Sequence, residues 1–369
     1  MSTALQKIAE IEAEIARTQK NKATNSHIGL LKAKIAKLKT EALLDEGSKK
    51  GGGGGRGFEV ERTGDRRIAL VGFPSVGKSS LLNTITTTKS DVSEQEFTTL
   101  TCIPGNLRHK GVHIQVLDLP GIIEGAKDGK GRGKQVIATA RTSDLILVVL
   151  DATKPWTHKR IIEKELRGMG IRFNCTPPDI RIKKKEKGGI CITSTVQLTK
   201  LTDDVINAVC KEYKLNNVEL NFHTNADTDE LIDAIEGNRV YLPIVYALNK
   251  IDSITIEELD LWDKIPHYVP ISVHKGWNLD ELKDEIWESL ELTRVYTKPR
   301  GQPIDFDEPV VLTRRKGPTT VKRFIEAIHK QLASSVKYAW VWGKSVKFQP
   351  QRVGLSHELM DEDICQFVS

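Results

Sequence analysis

What this chain of 369 residues lacks narrows it first. Its five cysteines, Cys102, Cys175, Cys191, Cys210 and Cys365, are scattered, with no CxxC pair and no histidine at zinc spacing. Neither a disulfide scaffold nor a structural zinc site is expected, and structural thiols in a reducing compartment fit the pattern. Long apolar runs are missing too. The aliphatic stretch 145–150 falls far short of the ~20 residues needed to cross a bilayer, so no membrane partner is expected. The N-terminus, MSTALQKIAEIEAEIA, carries charges every few residues and has no apolar core, which excludes a secretory signal and points to the cytoplasm. A formal charge of +6 is modest for this length, yet the positive residues cluster and can meet an anionic surface locally.

What is present is a complete phosphate loop. Residues 72–79 read GFPSVGKS, matching GxxxxGK[ST]. Gly72 and Gly77 let the backbone curl until successive N–H groups face a phosphate at the positive end of the following helix. Phe73, Pro74, Ser75 and Val76 form the curl, and Ser80 continues it into the helix. Lys78 reaches the β- and γ-phosphates, and Ser79 ligates Mg²⁺. Composition alone would produce such a pattern in roughly one chain in a hundred of this length. Context matters more: residues 67–73 (RIALVGF) suit a buried strand, and Leu81, Leu82 and Ile85 can pack the following helix on a sheet.

Three further strand ends carry matching boxes. Residues 113–119 (HIQVLDL) lead into DLPG at 118–121, whose Asp118 belongs behind the Mg²⁺ water shell and whose Gly121 N–H can sense a γ-phosphate. Residues 144–151 (DLILVVLD) give a third strand. Residues 241–249 give a fourth that delivers NKID at 249–252 to its carboxyl end, where open parallel sheets place ligands. NKID is the sequence by which the owner of such a loop recognises guanine, which makes Asn249, Lys250 and Asp252 the candidate base contacts. The nucleotide is therefore GTP or GDP, and an adenine-specific ATPase fails on NKID.

Around this core the periodicity changes. Leu5, Ile8, Ile11 and Ile15, then Ile28, Leu31, Ile35, Leu38 and Ala42, predict a helical hairpin broken at NKATNS, serving either as a docking arm or as packing on its own GTPase domain. Lys32, Lys34, Lys37 and Lys39 suit RNA or a solvated face equally. The glycines of 51–57 lack a Lys-Ser ending and read as a linker. Residues 157–170 supply the crossover helix, yet strands at 190–196 and 218–222 follow, with a helix at 203–213 between them and Thr202 as its N-cap. That is a small inserted α/β module, whose basic run 181–187 (RIKKKEK) reads as a solvated loop or a nucleic-acid contact. An amphipathic helix at 279–290 closes the GTPase domain. A mixed unit follows, with strands at 294–297, 310–313 and 338–342 and a helix carrying Val321, Phe324, Ile325, Ile328 and Leu332. Trp340 and Trp342 alternate with Val341, so at least one tryptophan is expected in a core; the other could stack on a base.

Taken in order, GFPSVGKSSLLN, EFTTLTCIPG, DLPGIIEGAKDGKGRG and NKID resemble the Obg-like GTPases, and within them the developmentally regulated GTP-binding protein (DRG) family, across essentially the whole chain. The resemblance implies a P-loop GTPase domain of α/β class with an insert of ribosomal-protein-like fold, an N-terminal helix-turn-helix arm, and a C-terminal TGS module of β-grasp form. The expected divisions are arm and linker at 1–60, GTPase at 61–170 and 240–291, insert at 171–239, and TGS at 292–369. It implies a DRG-family regulatory protein as partner and work on translating ribosomes. By position it makes Thr99 the switch I threonine that closes on Mg²⁺, with Thr98 the runner-up. It places Ser272 and Val273 in the box whose backbone supports the guanine carbonyl; the usual Ala is Val here. Ile122 stands where many GTPases carry a water-orienting glutamine, so Lys78, Thr99 and Gly121 are left as the catalytic set and hydrolysis by the lone chain is expected to be slow. Some relatives hold a potassium ion through an Asn or Asp in the phosphate loop; Ser75 stands there, leaving potassium open. The leading reading is a GTP-hydrolysing switch, the alternative an RNA- or ribosome-binding scaffold whose nucleotide site barely turns over.

Overall fold

A computed structural model describes residues 3–19, 21, 24–48, 62–86, 103–119, 140–168, 170–331 and 335–368. Thr98, Thr99, Cys102, Leu332, the linker glycines and all of 121–133, with Gly121 and Ile122, lie outside them. The chain divides into two compact units, Met1–Arg56 with Lys164–Tyr241 and Gly57–Glu163 with Leu242–Ser369.

In the second unit a six-stranded sheet runs Tyr268–Pro270, Ile244–Asn249, Leu145–Asp151, Arg66–Gly72, Val112–Asp118, Ile103–His109 from edge to edge. All neighbours are parallel except the last hairpin. Leu145–Asp151 is buried along its whole length, as its unbroken Leu/Ile/Val run requires of a strand covered on both faces. Leu81, Leu82 and Ile85 of helix Lys78–Ile85 join that core, as do Leu282, Ile286 and Trp287 of helix Leu279–Ser289. The single strand expected at 241–249 is two. Pro243 has no N–H to donate, and it separates Val240–Leu242, paired with Ile171–Phe173, from Ile244–Asn249 in the main sheet. Strand Ile103–His109 and helix Ile256–Trp262 were not legible: the first contains Pro104 and Gly105, and the second buries no side chain fully.

The same unit carries a second sheet, ordered Val310–Thr313, Leu292–Thr297, Asp363–Val368, Tyr338–Trp342, Gln351–Val353. Helix Val321–Ile328, capped by the Thr320 hydroxyl accepting from the Arg323 N–H, packs Val321, Phe324 and Ile325 against one face. The expectation of a core tryptophan is corrected here. The alternation of Tyr338–Trp342 sends Ala339 and Val341 inward, both fully buried, and leaves Trp340 and Trp342 half-buried on the outer face.

In the first unit a three-stranded sheet, Ile180–Lys184, Val218–Phe222, Ile190–Ser194, stands against helices Asp203–Glu212 and Thr228–Glu236 around Val205, Val209, Leu220, Phe222 and Leu231. The basic run thus begins as a strand rather than a loop, because Ile180 and Ile182 alternate with Arg181 and Lys183 and pack against the core. Thr202 occupies the N-cap position but makes no side-chain capping bond; the reciprocal capping box belongs to Asp227 and Glu230 of the following helix. Helices Thr3–Arg17 and Asn25–Ser48 form the hairpin, and Ala33 of the second joins the insert's core. Three of the four hairpin lysines meet carboxylates: Lys32 with Asp229 (2.7 Å), Lys39 with Glu12 (3.4 Å) and Lys37 with Glu212 (3.8 Å). Among the described residues no helix is long and apolar enough to cross a membrane.

Candidate functional site

The phosphate loop sits where strand Arg66–Gly72 meets helix Lys78–Ile85. Its glycines are forced by contact. A Cβ on Gly72 would lie 2.6 Å from the Val149 carbonyl oxygen, and one on Gly77, at φ +93°, would lie 2.5 Å from Asn249 Nδ2. Lys78 Nζ curls back to donate to the carbonyls of Phe73 (2.8 Å) and Gly72 (3.0 Å), which holds the ammonium inside the loop. Phe73 stacks on His158, ring centroids 4.2 Å apart. Val76 is buried, while Pro74, Ser75, Ser79 and Ser80 are exposed.

Ser79 Oγ donates to Asp118 Oδ2 at 2.9 Å. The other carboxylate oxygen, Asp118 Oδ1, is buried without a hydrogen-bond partner among the described residues. A buried acceptor left unmet is costly. A hydroxyl beside a carboxylate with spare acceptor capacity is the donor set that a hydrated Mg²⁺ takes, so these residues fit that ion.

The base motif lies at the adjoining strand end, its side chains already engaged. Asn249, 3% exposed, donates from Nδ2 to the Val76 carbonyl (2.8 Å) and accepts at Oδ1 from the Val273 N–H (3.1 Å). The Val273 N–H, which the sequence assigns to the guanine carbonyl, is therefore bonded to Asn249 here. Lys250, held at φ 67°, reaches Asp151 Oδ2 at 2.6 Å and the Ser75 carbonyl at 3.1 Å. Ser272, fully buried, donates its hydroxyl to Asp252 Oδ1 at 2.6 Å. That bond, ahead of every other influence, holds the Asp252 carboxyl below the ordinary aspartate range.

Lys78, Ser79, Asp118, Asn249, Lys250, Asp252, Ser272 and Val273 thus gather at one end of one sheet, whereas Thr99 and Gly121 lie outside the described residues. Sequence reasoning passed over Asp151. It closes strand Leu145–Asp151 beside Asn249, its register partner, and accepts from Lys250 and from the Thr153 N–H (2.9 Å) and hydroxyl (2.6 Å). Burial pushes its carboxyl up, but the bonds from Lys250 and Thr153 outweigh burial and leave it below the usual range. Its position at the carboxyl end of a central parallel strand was the available signal. His158 gave no such signal.

Comparison with known proteins finds matches along most of the chain. A family model described as a 50S ribosome-binding GTPase matches residues 67–183, the C-terminal region of the MMR_HSR1 domain matches 187–292, and the TGS domain matches 293–369. The chain is 59% identical to Developmentally-regulated G-protein 3 of Arabidopsis thaliana, covering 100% of this chain and 99% of that protein. It is 58% identical to Ribosome-interacting GTPase 1 of Saccharomyces cerevisiae, covering 99% and 98% respectively. The YchF GTPase of Schizosaccharomyces pombe shares the fold at TM-score 0.50 and 13% identity, over 84% of this chain and 99% of that one.

Proposed function

The chain belongs to the developmentally regulated GTP-binding protein family, and on that premise we propose that it is a GTP-hydrolysing switch acting on translating ribosomes with a regulatory partner protein. The observation that carries the reading is the convergence of Lys78, the Ser79–Asp118 pair and the NKID side chains at one sheet end. Residues 72–80 hold the phosphates. Asn249 has one amide hydrogen left for the base, Lys250 lies along the ring, and Asp252, oriented by Ser272, accepts from the guanine edge. Ser79, Asp118 and Thr99 serve Mg²⁺, which supplies neutralisation of phosphate charge when bound. Lys78 and the Gly121 N–H stabilise the charge that develops on the γ-phosphate.

Hydrolysis by the lone chain is slow in this reading, because the apolar Ile122 cannot orient the attacking water. The partner accelerates it by ordering the segments around Thr99 and 121–133, whose many glycines make order entropically costly. The name of the yeast relative supports the ribosomal assignment. Exposed Arg181, Lys183 and Lys184 offer an RNA-facing strand, whereas the hairpin lysines are largely committed to carboxylates. The setting is the cytoplasm.

Single-turnover GTP hydrolysis, measured alone, with the regulatory partner and with ribosomes, tests the whole reading. Acceleration by partner or ribosome, suppressed in Thr99→Ala, is expected. Fast hydrolysis by the lone chain would overturn the account of Ile122. Ribosome binding with no turnover under any condition would favour the scaffold that Ile122 also suits.

A further inference from the structure

The phosphate loop is braced from outside at two points, one on each side of its exposed apex, Pro74. Ser75 has φ 61°, a left-handed conformation that a residue with a Cβ keeps only when its surroundings hold it there. On that side the hold is Lys250, which donates to the Ser75 carbonyl at 3.1 Å while Asp151 fixes its ammonium at 2.6 Å. On the other side stands Phe73. Its ring packs partly on the core of the main sheet and partly on the His158 imidazole, with ring centroids 4.2 Å apart and planes inclined by 34°. Both braces come from one stretch of chain: Asp151 ends the central strand, and His158 lies in the first turn of helix Thr157–Gly168 that follows it.

The stack on Phe73 matters because of what the backbone of the same residue does. Its carbonyl accepts from Lys78 Nζ at 2.8 Å, beside the Gly72 carbonyl at 3.0 Å. A ring wedged between the sheet core and an imidazole is restricted to few rotamers, and rotamer and backbone angles are coupled, so the direction of that carbonyl is restricted too. The contact uses the flat face of His158, not its charge. Nucleotide binding is shared among the loop N–H groups, the base motif and the cation, so a small error in the ammonium position is diluted there. Charge developing on the γ-phosphate is met by few groups, and the same error then costs rate.

We infer that His158 is a positioning residue for the chemistry at the γ-phosphate: stacked on Phe73, it holds the carbonyl that aims Lys78. It acts through Phe73 and Lys78 and not on the nucleotide. The effect on rate rests on the GTP-hydrolysing reading above, whereas the hold on Lys78 does not.

Three variants of the full-length chain, His158→Ala, His158→Gln and His158→Phe, test this in two ways. The first needs no turnover. Acetylation of Lys78 by an N-hydroxysuccinimide ester, followed by peptide mass spectrometry on nucleotide-free protein, should speed up about two- to tenfold in His158→Ala and His158→Gln, the span expected for losing one aromatic pair. It should stay at the unaltered rate in His158→Phe, and exposed Lys154 should be labelled equally in all four proteins. In the second, single-turnover GTP hydrolysis with the regulatory partner should fall about two- to tenfold in the same two variants and recover in His158→Phe, with GDP affinity within about twofold throughout. Unchanged Lys78 labelling in both His158→Ala and His158→Gln overturns the inference, and so does a His158→Phe variant that behaves like His158→Ala. Lys78 and Lys154 labelling that rise together, with a lowered melting temperature, would reduce His158 to a packing residue and overturn it as well. A fall in GDP affinity equal to the fall in rate has the same consequence, since it marks general damage to the loop. If the unaltered chain turns over GTP with neither partner nor ribosome, the switch reading fails, and the Lys78 labelling alone decides the role of His158.

Discussion

On the base side of the site, Asn249, Lys250, Asp252 and Ser272 are all hydrogen-bonded within the protein at 2.6 to 3.1 Å. On the phosphate side, among the described residues, Asp118 keeps a buried oxygen with no donor, and Lys78 donates to carbonyls of its own loop. The first half is organised before ligand arrives; the second is completed by charge that the nucleotide and its cation bring. Base selection should therefore persist when phosphate chemistry is damaged. Damage to the base side should propagate, because Asn249 also bonds to the loop that meets the phosphates.

Removing that link is the strongest way to break the distinction. Asn249→Ala leaves the Val76 carbonyl and the Val273 N–H without their partner in a nearly closed environment, at about 1–3 kcal/mol each. GTP and GDP affinity should both fall a hundredfold or more, with a lowered melting temperature. Calorimetric titration showing loss of guanine preference alone, at undiminished phosphate affinity, would mean that the two halves are uncoupled.

Asp252→Asn comes next. An Asn oxygen can still accept from Ser272, so the loop should survive while the amide now offers a donor to the 2-oxo group of xanthine. Preference should invert from GTP to XTP by several kcal/mol, as paired hydrogen-bond sites do when complementarity is reversed. Competition of GTP, ATP and XTP against a labelled guanine nucleotide reads this directly, and retained GTP preference would show that NKID does not touch the base. Lys78→Ala acts on the other half. Loss of a charge-assisted contact worth ~1.5–3 kcal/mol should cost roughly tenfold or more in GTP affinity, and further in rate. The ratio of GTP to ATP affinity should stay as in the wild type, and a collapsed ratio would contradict the independence of the base side.

Asp151→Asn should be milder. It removes the charge that steadies Lys250, whose side chain is 39% exposed and so partly screened by solvent. A two- to fivefold loss of GTP affinity is expected by fluorescent-nucleotide titration. No change would relegate Asp151 to a loop-closing role through Thr153.

Legibility followed the same divide between local pattern and tertiary pairing. The loop glycines, the buried strands and NKID announce themselves because each is a contiguous stretch with its own backbone demand. Asp151 did not, since its part depends on a strand 98 positions away placing Asn249 in register beside it. Trp340 and Trp342 misled because period-2 alternation says which residues share a face without saying which face a helix will cover. The hairpin lysines suit RNA or a solvated face equally in sequence; it is the insert, packed on helix Asn25–Ser48, that supplies carboxylates to Lys32 and Lys37.

The smallest expected effect is on the pH dependence of base selection, which should be absent above the acid range. Asp252 is depressed by the Ser272 hydroxyl, and Asp151 is depressed by Lys250 and Thr153 against the opposing pull of burial. A carboxylate whose folded pKa lies below its ordinary value of 3.8 contributes fully above that value, and loses its contribution only as pH falls through the depressed one. The ratio of GTP to ITP affinity isolates the base edge, because both nucleotides share the same phosphate chain while ITP lacks the 2-amino donor. That ratio should be flat from pH 7 to about pH 5. Removing the hydroxyl in Ser272→Ala should move the acid edge upward toward the ordinary range. A ratio that already titrates between pH 5 and 7 in the unaltered protein would mean that Asp252 is not held as the charged acceptor that its bond to Ser272 requires.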